Sequence, residues 1–177
     1  HLPKQKTDKE KLEERIADIS KELSRNPDSV FFQRVVSTTS PTAGQVSLTN
    51  FARRLRTIMH SNSGILATYT LPEQIGIIEN YFQAVKQVFP KPFTQNLFFK
   101  TLGFGALWRA FPTVFSASLK ETGGFRVQDV SRILTQVSHF DFDSWEKSGT
   151  GSGAETQAGD DLIQELKTAF ESKDPGG

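Results

Sequence analysis

The sequence predicts an all-α fold, a bundle of about six or seven helices with one short β-hairpin near 34–47. Three observations lead there. Apolar residues recur at helical spacing through most of the chain. Capping signatures open several of those periodic stretches, and proline or glycine closes them. Fifteen Phe stand against two Tyr and one Met; phenyl rings carry no polar handle, so most of them belong in a packed interior.

Thr7-Asp8-Lys9-Glu10 has the form of a capping box, with Thr7 as N-cap and Glu10 three residues on. The helix it opens places Leu12, Ile16, Ile19 and Leu23 on one face and ends at Pro27. Arg34–Ser37 and Gln45–Ser47 are β-prone and flank a turn-rich segment with Pro41 and Gly44, which predicts the hairpin. Ser47 or Thr49 caps a helix to about residue 60, with Leu48, Phe51, Leu55, Ile58 and Met59 as its apolar stripe. Thr70-Leu71-Pro72-Glu73 is a second capping box, opening a helix that buries Ile75, Ile78, Phe82 and Val85 and runs to Phe89.

Beyond Pro90 and Pro92, Thr94 is expected to cap a helix over 95–110 that is apolar nearly all round, the pattern of a central helix. Gly103 and Gly105 interrupt it, which close helix packing would explain. Pro112 kinks or restarts that helix, and Gly123-Gly124 ends it. A helix over 127–137 follows. The last, over 154–172, buries Leu162, Ile163, Leu166 and Phe170, and its first half, with Gly159 inside, is the weaker part. The expected organisation is one helical domain over 1–148. The Gly/Ser-rich turn and C-terminal helix of 149–177 pack on that same domain. The opening His1-Leu2-Pro3-Lys4 is neither an initiator Met nor a signal peptide, so the chain reads as a fragment of a longer one.

Composition excludes several function classes. With no cysteine there is no thiolate nucleophile, disulfide or Cys-ligated metal site, which fits a cytoplasmic protein. No apolar run is long enough to predict a membrane span. His1, His60 and His139 are isolated from one another, so no helix-borne metal pair is expected. Asp141 and Asp143 beside Trp145 suit paired-carboxylate chemistry, but no third ligand stands at helical spacing; a helix cap by Asp143 is the simpler reading. Gly149-Thr150-Gly151-Ser152-Gly153 precedes a helix, as phosphate-cradling loops do, but Ala154-Glu155 replace the Lys and Ser/Thr of a P-loop. No nucleophile elbow is present. The sequence therefore predicts a non-catalytic protein without cofactor or metal.

The remaining lead is basic. Arg53, Arg54 and Arg56 crowd one helix beside Asn50, and guanidiniums bind phosphates bidentately. Arg34, Lys100 and Arg109 are weaker candidates for the same role, and Arg126 and Arg132 add charge on another helix. The plain alternative is a solvated face with internal ion pairs, which a formal charge of +1 from 21 basic and 20 acidic residues favours.

The order of these features resembles the C-terminal helical half of DGQHR-domain proteins, a bacterial family associated with DNA sulfur modification. The resemblance rests on Asn26-Pro27-Asp28-Ser29-Val30-Phe31-Phe32-Gln33-Arg34-Val35, Val46-Ser47-Leu48-Thr49-Asn50-Phe51 and Ile78-Glu79-Asn80-Tyr81-Phe82-Gln83-Ala84-Val85. Phe99-Lys100-Thr101-Leu102-Gly103-Phe104-Gly105-Ala106-Leu107 and Gly149-Thr150-Gly151-Ser152-Gly153 follow in the same order. It spans nearly the whole chain, though its motifs are short and mostly apolar. The Asp-Gly-Gln-His-Arg signature is not in this sequence; the resemblance places it in a preceding N-terminal domain. It implies DNA binding and transcription regulation of modification genes. The rival expectation is a protein–protein interaction or dimerisation module that makes no DNA contact.

Overall fold

The computed structural model describes residues 4–149 and 151–173. Among them are eight α-helices, one 3₁₀ turn and a two-stranded sheet. The chain divides into two compact units, His1–Glu79 and Asn80–Gly177. The boundary falls inside a helix, and the C-terminal helix belongs to the second unit.

The first unit opens with α1 (Asp8–Arg25), whose N-cap Thr7 accepts from the Glu10 backbone N–H at 3.1 Å. Ile16, Ile19 and Leu23 are buried as the periodicity predicts. The strands β1 (Val35–Val36) and β2 (Val46–Ser47) lie where the hairpin was expected, but they pair in parallel, Val35 with Val46 and Val36 with Ser47. A hairpin needs a tight reversal. Here residues 37–45 form a loop that doubles back to the start of β1. The Val46 N–H donates to the Arg34 carbonyl at 2.8 Å, and the Arg34 guanidinium donates to the Gly44 carbonyl at 3.0 Å. Gly44 sits at φ 82°, a left-handed conformation that costs glycine nothing.

Ser47 ends the strand and caps α2 (Leu48–Met59), accepting from the Asn50 N–H at 3.1 Å. Phe51, Leu55, Ile58 and Met59 are buried, whereas Leu48, expected in the stripe, is exposed in the first turn. Phe51 meets Phe31 edge to face, ring centroids 5.5 Å apart. Helix α3 (Leu71–Val88) begins with both halves of the Thr70/Glu73 capping box. Its Gln74 is buried, donating to the Leu66 carbonyl and accepting from Arg15, both at 2.8 Å. Glu79 accepts from the Ser29 hydroxyl and the Val30 N–H, tying down the turn after α1.

In the second unit the expected 95–110 helix is recast. Thr94 does not cap it. Pro90–Thr94 is a short helix, α4, and the Thr94 hydroxyl donates back to the Pro90 carbonyl at 2.8 Å. Asn96 turns through a left-handed conformation into a 3₁₀ turn, Leu97–Phe99. Only then does α5 (Thr101–Thr122) begin, and it continues through Pro112 without a break. Helices α6 (Val127–Thr135), α7 (Asp143–Lys147) and α8 (Ser152–Lys173) complete the unit.

Helix α5 is the centre, packed against α6, α8 and the 3₁₀ turn. The aromatic prediction holds: every Phe except Phe32, Phe140 and Phe170 is buried. Tyr81 lies among Phe82, Trp108, Phe111 and Phe125, with centroids 5.1–6.4 Å away, and its hydroxyl donates to the Leu107 carbonyl. A second cluster centres on Phe142, touching Phe89, Phe98, Phe140 and Trp145.

The glycines of α5 mark close approaches. A Cβ on Gly103 would fall 2.0 Å from the Leu97 carbonyl oxygen. The α5–α8 contact is reciprocal: the Glu155 side chain lies over Gly105, and the Arg109 stem lies over Gly159. Gly159 thus admits the Arg109 stem against α8. At the start of α6 the Asp129 carboxylate accepts from the Arg126 N–H at 2.9 Å.

Two predictions follow from this packing. Gly103→Ala gains about 1 kcal/mol of helix propensity but forces a backbone apart, so urea unfolding should show a net loss of about 1–3 kcal/mol. The Arg126 backbone bond, then its side chain, hold the Asp129 carboxyl below its ordinary value. Its contribution to stability is present above about pH 4, the unfolded value, and is lost as pH falls through the lower folded value. Asp129→Asn should flatten that acid limb in urea titrations run from neutral to acid pH, and an unchanged limb would contradict the assignment.

Candidate nucleic-acid interface

The six expected contact residues fall in both units. Arg34, Arg53, Arg54 and Arg56 belong to the first, Lys100 and Arg109 to the second.

On α2, Ser47 fixes the helix start and thereby the position of Asn50 one turn in. The Asn50 amide oxygen accepts from Arg53 and from Arg54, each at 3.2 Å. This short fork restrains two guanidiniums side by side on the first half of the helix. Arg53 is exposed and Arg54 half-buried. Restraint matters because immobilising a free Arg side chain on binding costs conformational entropy.

Arg56 is held differently. It makes a two-pronged ion pair with Glu13 of α1, Nη2 to Oε2 at 2.9 Å and Nε to Oε1. The bond to Arg56 keeps the Glu13 carboxyl below its ordinary range, and Glu13 raises the guanidinium in turn. Both ends stay substantially solvated, so this is a surface pair of modest strength. Arg34 is half-buried against the Gly44 loop, and burial lowers its guanidinium from the ordinary value.

In the second unit Lys100 is exposed at the N-cap of α5. Arg109 is engaged by Asp160 at 2.8 Å while its stem packs on Gly159. The sequence could not show the Arg56 and Arg109 partners, which lie 43 and 51 residues away along the chain. The Asn50 fork is local, since Asn50 stands three and four residues before Arg53 and Arg54.

The other candidate chemistry resolves into local structure. Asp141, not Asp143, supports the start of α7 by accepting from the Asp143 N–H at 2.9 Å, and Trp145 is buried as expected. His60 Nδ1 accepts from the Asn62 N–H, and His139 lies 3.7 Å from Glu165. His1 and Thr150 lie outside the described residues. Ser152 and Gly153 of the glycine-rich run are already in α8. Among the described residues no group of three His, Asp or Glu side chains is placed to hold a metal ion, and no helix is long and apolar enough to cross a membrane. Comparison with protein-family models, curated proteins and solved structures gives no match for this chain.

Proposed function

We propose that this chain is a non-catalytic, DNA-contacting regulatory domain, and that the first half of α2 carries the contact. The observation that carries this reading is the Asn50 fork, which holds Arg53 and Arg54 together and presents two fixed cations to a phosphate backbone. The resemblance to DGQHR-domain proteins supports the same reading. It extends it to a bacterial, cytoplasmic DNA-modification setting with an N-terminal domain as partner. Arg56 is paired with Glu13, Arg34 bonds the Gly44 carbonyl and Arg109 is paired with Asp160. Lys100 is a separate point of attachment on the second unit.

The test is fluorescence anisotropy with a labelled duplex across a range of salt. Each phosphate contact contributes about 0.9 to the slope of log affinity against log salt. Arg53→Ala/Arg54→Ala should therefore lower the slope by about 2 and weaken binding at every salt concentration. Arg56→Ala should change both far less. A folded double variant with full affinity and slope would remove the DNA reading. A salt-insensitive self-association of the native chain would then favour the protein–protein or dimerisation module.

A further inference from the structure

A groove of about 780 Å³ opens in the second unit between α5, α6 and α8. Four cations line it: Lys120 from α5, Arg132 from α6, and Lys167 and Lys173 from α8. Its apolar part is formed by Pro112, Ala117 and Phe170. Glu121 is its one acidic residue, and it is already occupied by Lys173 at 3.8 Å. Among the described residues no ion pair or side-chain hydrogen bond engages Lys120, Arg132 or Lys167. Elsewhere in the same unit, Arg109 and Arg126 each have a carboxylate partner.

Three uncompensated cations from three helices thus converge on one concavity. Helix dipoles account for part of this, since Lys120 and Arg132 lie in the last turns of α5 and α6. They do not account for Lys167, which lies more than a turn before the end of α8. They also do not account for the aromatic and aliphatic wall beside the charges. Mixed linings of this kind, in a volume within about 300–1,000 Å³, suit a small molecule.

We propose that this groove binds a small organic phosphate, its dianionic head held by Lys120, Arg132 and Lys167 and its apolar body laid against Phe170 and Pro112. The head matches the excess charge, and charge-assisted bonds to phosphate are the strong class. The Arg53/Arg54 surface belongs to the other unit.

The experiment is ¹H–¹⁵N chemical-shift titration of the full chain with phenyl phosphate, beside inorganic phosphate and phenol. The expected result is saturable shifts at Lys120, Arg132, Lys167 and Phe170, tighter for phenyl phosphate than for either half alone. Lys120→Ala/Lys167→Ala, with an unchanged thermal melt, should weaken phenyl phosphate about tenfold or more. Arg53→Ala/Arg54→Ala should leave it unchanged, which separates this site from the DNA surface. Absence of saturable binding, shifts located elsewhere, or full affinity in the Lys variant would overturn the proposal. So would a groove that ignores phenyl phosphate while the Lys variant loses duplex affinity.

Discussion

The neighbours of helix α5 come closest where it gives up side chains. This constraint organises the second unit. At Gly103 the Leu97 carbonyl comes to within 2.0 Å of where a Cβ would stand, so the 3₁₀ turn can fold directly onto the helix that follows it. At Gly105 and Gly159 the sacrifice is mutual. Each glycine on one helix receives the long side chain of the other. Glycine costs about 1 kcal/mol in a helix interior, and the contacts it admits offset that cost. The aromatic interior around Tyr81 and Phe142 then fills what the close approach leaves.

Local chemistry was legible and distant chemistry was not. The Thr7 and Thr70 caps, the Ser47 cap and the apolar faces of α1 and α2 depend on residues within one or two turns, so spacing alone reveals them. The need for close packing at Gly103 and Gly105 could also be read from glycines in an apolar helix. The partners at those glycines could not. The parallel pairing of β1 and β2 escaped because two short β-prone segments around a turn-rich loop carry no mark of direction. Thr94 misled because a threonine after two prolines fits an N-cap. The 90–94 segment forms its own turn instead, and the hydroxyl bonds backward to Pro90.

The candidate site shows the same divide. Arg53, Arg54 and Arg56 look equivalent along the chain, yet Glu13 takes one of them and Asn50 organises the other two. The groove of the second unit was less visible still. Its cations come from three helices spread over more than fifty residues, and no motif joins them. A net charge near zero conceals both surfaces, because paired acids balance the count without neutralising every cation locally.

The two tyrosines stand one in each unit. Tyr81 is wholly buried, and burial drives its phenol far above the ordinary value of 10.0. Below about pH 10 it is neutral in folded and unfolded chains alike. Above that, only the unfolded chain gains by ionising, so the second unit loses stability as alkali increases. Phenolate absorbance from Tyr81 therefore appears only when that unit opens. The ring is an optical reporter of the second unit's integrity that needs no added label.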